Sequence, residues 1–109
     1  MDLNLIVLCG RLHVDPELRV FDSGARQIRY LVTTRVDYPK RRVDNIPVVV
    51  WDPPDDLMDN PGSKGERFWV CGSVQKRYTG NARGGGSHVE VVAGDVKVGD
   101  LDELEPVLL

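Results

Sequence analysis

Turn signals divide this chain so often that few folds remain open to it. Residues 3–12, LNLIVLCGRL, carry the Leu, Ile and Val content of a strand, and Asp15-Pro16 ends the run. Residues 17–21 read as a short extended piece before the Asp22-Ser23-Gly24 turn. From 26 to 35 the residues alternate, with Ile28, Tyr30, Val32 and Thr34 on one side and Arg29, Leu31, Thr33 and Arg35 on the other. That period of two predicts a strand with one face in the core and the other free for an interface or a ligand. A basic loop with Pro39 occupies 38–44, and Val48-Val49-Val50 marks a buried strand over 45–51. Pro53, Pro54, Pro61, Gly62 and Gly65 exclude a long helix in 52–65, leaving room for one turn around 55–59. Strands are predicted over 67–78 and 88–98, joined by the glycine-rich tip 79–87. Five strands in 109 residues make an all-β domain, either a small barrel or a sandwich.

Several kinds of chemistry lack the residues they need. His13 and His88 stand apart, and no nucleophile elbow is present. The acids between Asp52 and Asp59 have no partners for a magnesium site, and the glycines at 84–86 are not followed by Lys-Ser or Lys-Thr as in a phosphate-binding loop. The chain is therefore read as a non-enzyme without cofactor or metal. Cys9 and Cys71 form no CxxC pair and read as free thiols in strands. The longest apolar run, residues 5–9, is too short to span a membrane, and the acidic start lacks a signal-peptide pattern, so a cytoplasmic, nucleoid-associated location is expected.

The net charge of −3 is unevenly spread. Residues 95–109 hold Asp95, Asp100, Asp102, Glu103 and Glu105 against Lys97, which leaves thirteen Lys and Arg against twelve Asp and Glu in residues 1–94. Many of those cations are grouped, at Arg26 with Arg29, at Lys40-Arg41-Arg42, and at Lys76-Arg77 with Arg83. Such groups suit either ordinary solvated surface or a track for a phosphate backbone.

Read in order, these segments resemble the bacterial single-stranded DNA-binding protein family. The stretch Gly10-Arg11-Leu12-His13-Val14-Asp15-Pro16-Glu17-Leu18-Arg19 carries most of the resemblance. Ser23-Gly24, Val32-Thr33-Thr34, Ile46-Pro47-Val48-Val49-Val50-Trp51, Lys64-Gly65-Glu66-Arg67, Val70-Cys71-Gly72-Ser73-Val74-Gln75-Lys76-Arg77 and Glu90-Val91-Val92-Ala93 follow at the family's spacing. The resemblance implies a five-stranded OB-fold barrel over 1–98 with a short acidic tail at 99–109. It also implies sequence-independent single-stranded DNA binding in replication, recombination or repair, and assembly into a homotetramer.

Bases stack on aromatic rings while cations track the backbone. The expected stacking residue is Trp51, with Tyr78 and Tyr38 each one position from a family aromatic. Arg29, Arg35, Arg41, Arg42, Lys76, Arg77 and Arg83 are the candidate phosphate contacts. The first strand, through Asn4, Ile6, Leu8 and Cys9, is expected to pair with its copy in a second subunit and cover an apolar edge. Cys9 sits where two copies could approach and bridge on oxidation. Trp69 alternates with Phe68 and Val70 and is expected exposed beside Arg67, on a second face between subunits.

Two features depart from the family. The long linker and the Pro-Phe-terminated acidic peptide that recruits repair proteins are replaced here by Glu103-Leu104-Glu105-Pro106-Val107-Leu108-Leu109. The segment 52–65 is broken by prolines where the family has a helix. Both suit an accessory paralogue or a host-divergent copy better than a main housekeeping protein. An OB-fold interaction module with little DNA binding is the alternative reading.

Overall fold

The computed structural model describes residues 1–78 and 86–99. The strands are β1 (Ile6–Leu12), β2 (Glu17–Val20), β3 (Arg26–Val36), β4 (Arg42–Trp51), β5 (Arg67–Tyr78) and β6 (Ser87–Val98), with the one-turn helix α1 (Asp55–Asp59) between β4 and β5. The strand order β1-β5-β6-β4-β3 closes when β1 also pairs with β3, and β2 adds to β3 as a hairpin. The result is the expected all-β, five-stranded OB-fold barrel.

Closure depends on β1 passing from one neighbour to the other. Its residues from Ile6 to Arg11 pair with β5, while Arg11 and Leu12 pair with Thr33 and Val32 of β3. Gly10 sits at the crossing, where a Cβ would strike the Thr33 carbonyl. Gly72 makes a similar close approach, to the Val92 carbonyl, at the β5 bulge. The barrel is sealed on the other side by a parallel pair, Val48 and Val49 of β4 against Val91 and Val92 of β6.

The core follows the alternation. Ile28, Tyr30 and Val32 meet Val48, Val50, Phe68, Val70, Val91 and Leu12 inside the barrel. Tyr30 packs on Phe68 with ring centroids 4.5 Å apart and donates its hydroxyl to the Pro61 carbonyl at 2.9 Å. Burial drives the Tyr30 phenol well above its ordinary pKa.

The first strand begins at Ile6 rather than at residue 3, although Asn4 continues its pairing by other means. The Asn4 amide donates to the Val74 carbonyl and accepts from the Val74 N–H at 2.9 Å. That side chain is spent within its own subunit. Ile6 and Leu8 turn inward against the core, so their expected place in a subunit contact is not carried by their side chains. Leu3, Leu5 and Val7 are the exposed apolar residues of this segment. Trp69 also departs from expectation. It lies on the face opposite Phe68 and Val70, yet only 6% of it is exposed and its indole N–H lacks a partner among the described residues. Alternation gave its side of the sheet correctly, but burial within the chain leaves no exposed ring for a second subunit.

Candidate nucleic-acid interface

Because Ile28 and Tyr30 fill the core, Gln27 and Arg29 project from the other face of β3. Register then assembles a surface from distant parts of the chain. Trp51 lies opposite Gln27, and Val49 opposite Arg29, on β4. On the β2 side Arg19 faces Gln27 and Glu17 faces Arg29. On the far arm, Arg77 pairs with His88 and Gln75 with Glu90. Part of this surface is an open groove of about 790 Å³, lined by Arg19, Arg29, Arg77, Tyr78, His88 and Glu90 among others, with Trp51 outside its lining.

At one end of this surface, Trp51 stacks on Phe21 with centroids 5.6 Å apart and planes inclined by 27°. Phe21 supports the indole, and 45% of Trp51 remains exposed. Gln27, its cross-strand neighbour, is 1% exposed and its Oε1 has no hydrogen-bond partner among the described residues. At the other end Tyr78 is exposed on the hairpin arm, with the Lys76 ammonium 5.6 Å from its ring centroid. That spacing is a cation–π contact, which restrains the ring.

The cations differ in how free they are. Arg29 stands 3.7 Å from Glu90 at the floor of the groove. Arg19 bonds Glu17 at 2.9 Å at the rim. Arg77 is exposed and has no ion pair among the described residues. A flat exposed ring at each end and guanidinium groups between them suit a chain of stacked bases with a phosphate backbone.

Of the expected contacts, Arg29, Arg77 and Tyr78 line the groove, Trp51 stands beside Gln27 on the neighbouring strand, and Lys76 lies against the Tyr78 ring. Tyr38 and Arg41 lie exposed on the β3–β4 turn, where the Tyr38–Pro39 bond is cis. Arg42 opens β4 and bonds Asp44 at 2.9 Å. Arg35 is six residues beyond Arg29 on β3, and faces a different pocket. Arg83 and the tail from 100 onward lie outside the described residues. Sequence reasoning passed over Phe21, Arg19 and His88. Phe21 directly follows a short strand, but its partner is thirty positions away and only the register joins them.

The closed five-stranded barrel, with an exposed ring and a cationic groove on its outer surface, defines an OB-fold domain. Residues 3–98 match the model of the single-strand binding protein family, and the chain belongs to that family. It is 37% identical over 101 residues to a single-stranded DNA-binding protein of Clostridium tetani, covering 87% of this chain and 69% of that protein. A protein of the same name from Enterococcus faecalis is 33% identical over 86 residues, which is 75% of this chain and 46% of the relative. The chain thus spans about half the length of that relative. The fold also superposes on a Plasmodium falciparum SSB solved in complex with single-stranded DNA. The TM-score is 0.77 at 26% identity, covering 92% of this chain and 97% of the other. Among the described residues no helix is long and apolar enough to cross a membrane, and no cluster of metal-binding side chains occurs.

Proposed function

We infer that this chain binds single-stranded DNA without sequence preference, as a non-catalytic protein that covers exposed strands during replication, recombination or repair. The observation that supports this most is the Phe21-backed Trp51 ring beside a groove carrying Arg29 and Arg77. A base lies on Trp51 and its neighbours follow the groove toward Tyr78, while the guanidinium groups meet the phosphates. Stacking is blind to base identity because every base has a π-face, so no sequence is selected. The names of the relatives and the complex of the Plasmodium protein agree with this reading. Titration with oligo-dT at low salt tests it: saturable binding supports it, whereas a folded protein that binds nothing leaves an interaction module.

The subunits assemble through β1. Among the described residues Ile6 to Gly10 pair with β5 alone, and the exposed Val7 lies on this stretch with the exposed Leu5 just before it. An antiparallel pair with a second β1 covers the edge under a two-fold axis. Two such dimers make the tetramer, whose location follows the DNA it covers.

A further inference from the structure

The parallel pairing of β4 with β6 stops at Val49 and Val92, and beyond it the two strands part. From Ala93 to Val98, β6 is paired with β5 alone among the described residues. Its other edge opens toward α1 and the turn that follows, along two adjoining pockets of about 450 and 320 Å³ that share Asn60 and Val98. The floor of this trough is apolar. Val50 is buried, while Leu57, Ala93, Val96 and Val98 are half-buried and pack against the core. The rim is acidic, with exposed Asp56 and Asp95 on the larger pocket and exposed Asp59 and Glu66 on the smaller. Lys97 is the one cation lining either pocket among the described residues. None of those four acids forms an ion pair there, although Asp55 beside them is held by Arg26 at 3.0 Å. An unpaired strand edge presents N–H and C=O groups that another chain can join. Here such an edge runs beside an apolar floor and a surplus of negative charge.

We propose that this trough between β6 and α1 docks an extended segment of a partner protein in which apolar residues alternate with lysine or arginine. The segment adds as a strand to the free edge of β6, its backbone bonded to residues 93–98. That edge is about 20 Å long, which takes a segment of about six residues. Alternation lays every second side chain on the floor made by Val50, Leu57 and Val96, and the cations between them meet Asp56, Asp59 and Asp95. The sign of the rim decides between occupants. It repels a phosphate backbone, and it repels residues 100–109 of this chain, which hold Asp100, Asp102, Glu103 and Glu105 and no Lys or Arg. The trough shares no lining residue with the groove of Arg29 and Arg77, so a partner docked here leaves that groove open.

The probe is a labelled peptide of about eight residues in which lysine alternates with valine. Its anisotropy is followed against the full chain at low salt without DNA, beside a lysine–serine and a glutamate–valine peptide. The natural protein is expected to bind the lysine–valine peptide saturably, and the lysine–serine peptide about tenfold less tightly for want of apolar burial. The glutamate–valine peptide is expected not to bind. Asp56→Lys/Asp59→Lys, at two exposed positions, is expected to weaken the lysine–valine complex by about tenfold or more. If that variant loses its β-sheet circular dichroism, Asp95→Lys replaces it, with a loss of about threefold. Amide hydrogen exchange at residues 93–98 is expected to slow in the complex, which charge attraction alone does not produce. No saturable binding, equal binding by the variant, or equal binding of the serine or glutamate peptide overturns the proposal. So does protection that falls on another strand instead of β6. Light scattering that shows a lower mass for the variant than for the natural chain gives the trough to a second copy, and overturns it too.

Discussion

The ring of Phe21 stacks on that of Trp51 at a centroid distance of 5.6 Å, joining the end of β2 to the end of β4 across the edge of β3. Phe21 thereby holds the indole in place before any base arrives. An offset pair of this kind contributes about 0.5–1.5 kcal/mol beyond area burial. Phe21→Ala is expected to weaken oligo-dT binding by about threefold to tenfold by releasing the Trp51 ring. Trp51→Ala removes the stack itself, about 1–3 kcal/mol per base, and should cost more. Fluorescence titration of both variants checks the order.

Glu90 is the acid that most limits the groove. It is 8% exposed and lies 3.7 Å from Arg29, so it competes with phosphate for that guanidinium. Glu90→Gln keeps the shape and frees Arg29. Affinity is expected to rise by about threefold at low salt, with the salt slope steeper by about 0.7. Unchanged affinity and slope would mean that Arg29 meets no phosphate.

Strand signals made much of this fold legible, because residues 26–35 alternate and 67–78 run on without a break, and they become β3 and β5 almost unchanged. The short turn of α1 followed from the prolines on either side. Alternation assigns a face, but it does not say what covers that face. Trp69 therefore read as exposed, although the folded chain buries it. The inward turn of Ile6 and Leu8 was hidden by the uniform apolar run around them, where neither face is marked by polar residues. The exposure of Trp51 was legible because a strand-end aromatic is a local signal. The support of that ring by Phe21 depends on pairing between distant strands.

Alkaline pH should unfold the protein through Tyr30. Burial raises the pKa of the folded phenol, so the unfolded chain ionises first. The sign follows directly: this stabilisation is complete below the ordinary value of 10.0 and is lost as pH rises past it. Tyr30→Phe removes that slope, and also the bond to Pro61, at a cost of about 1 kcal/mol at neutral pH. Denaturant melts of both proteins at neutral and alkaline pH check the two effects together.

The β1 edge predicts the response of assembly to charge. Light scattering of the natural chain should give about four times 12.2 kDa. Leu5→Lys with Val7→Lys places charge on the exposed apolar stretch beside the open edge and should lower that mass while leaving the β-sheet circular dichroism intact. A mass unchanged by both substitutions would move the joint away from β1.

The most direct test of the central claim uses the protein's two tryptophans, of which Trp51 is 45% exposed and Trp69 is 6% exposed. Oligo-dT is titrated at low salt while tryptophan emission is followed, first in the natural chain and then in Trp51→Phe, where only Trp69 emits. Saturable quenching in the natural chain, largely absent from Trp51→Phe although anisotropy of labelled DNA still reports binding, is the result expected. Undiminished quenching in Trp51→Phe, or no saturable binding by the folded natural protein, would contradict the placement of DNA on Trp51.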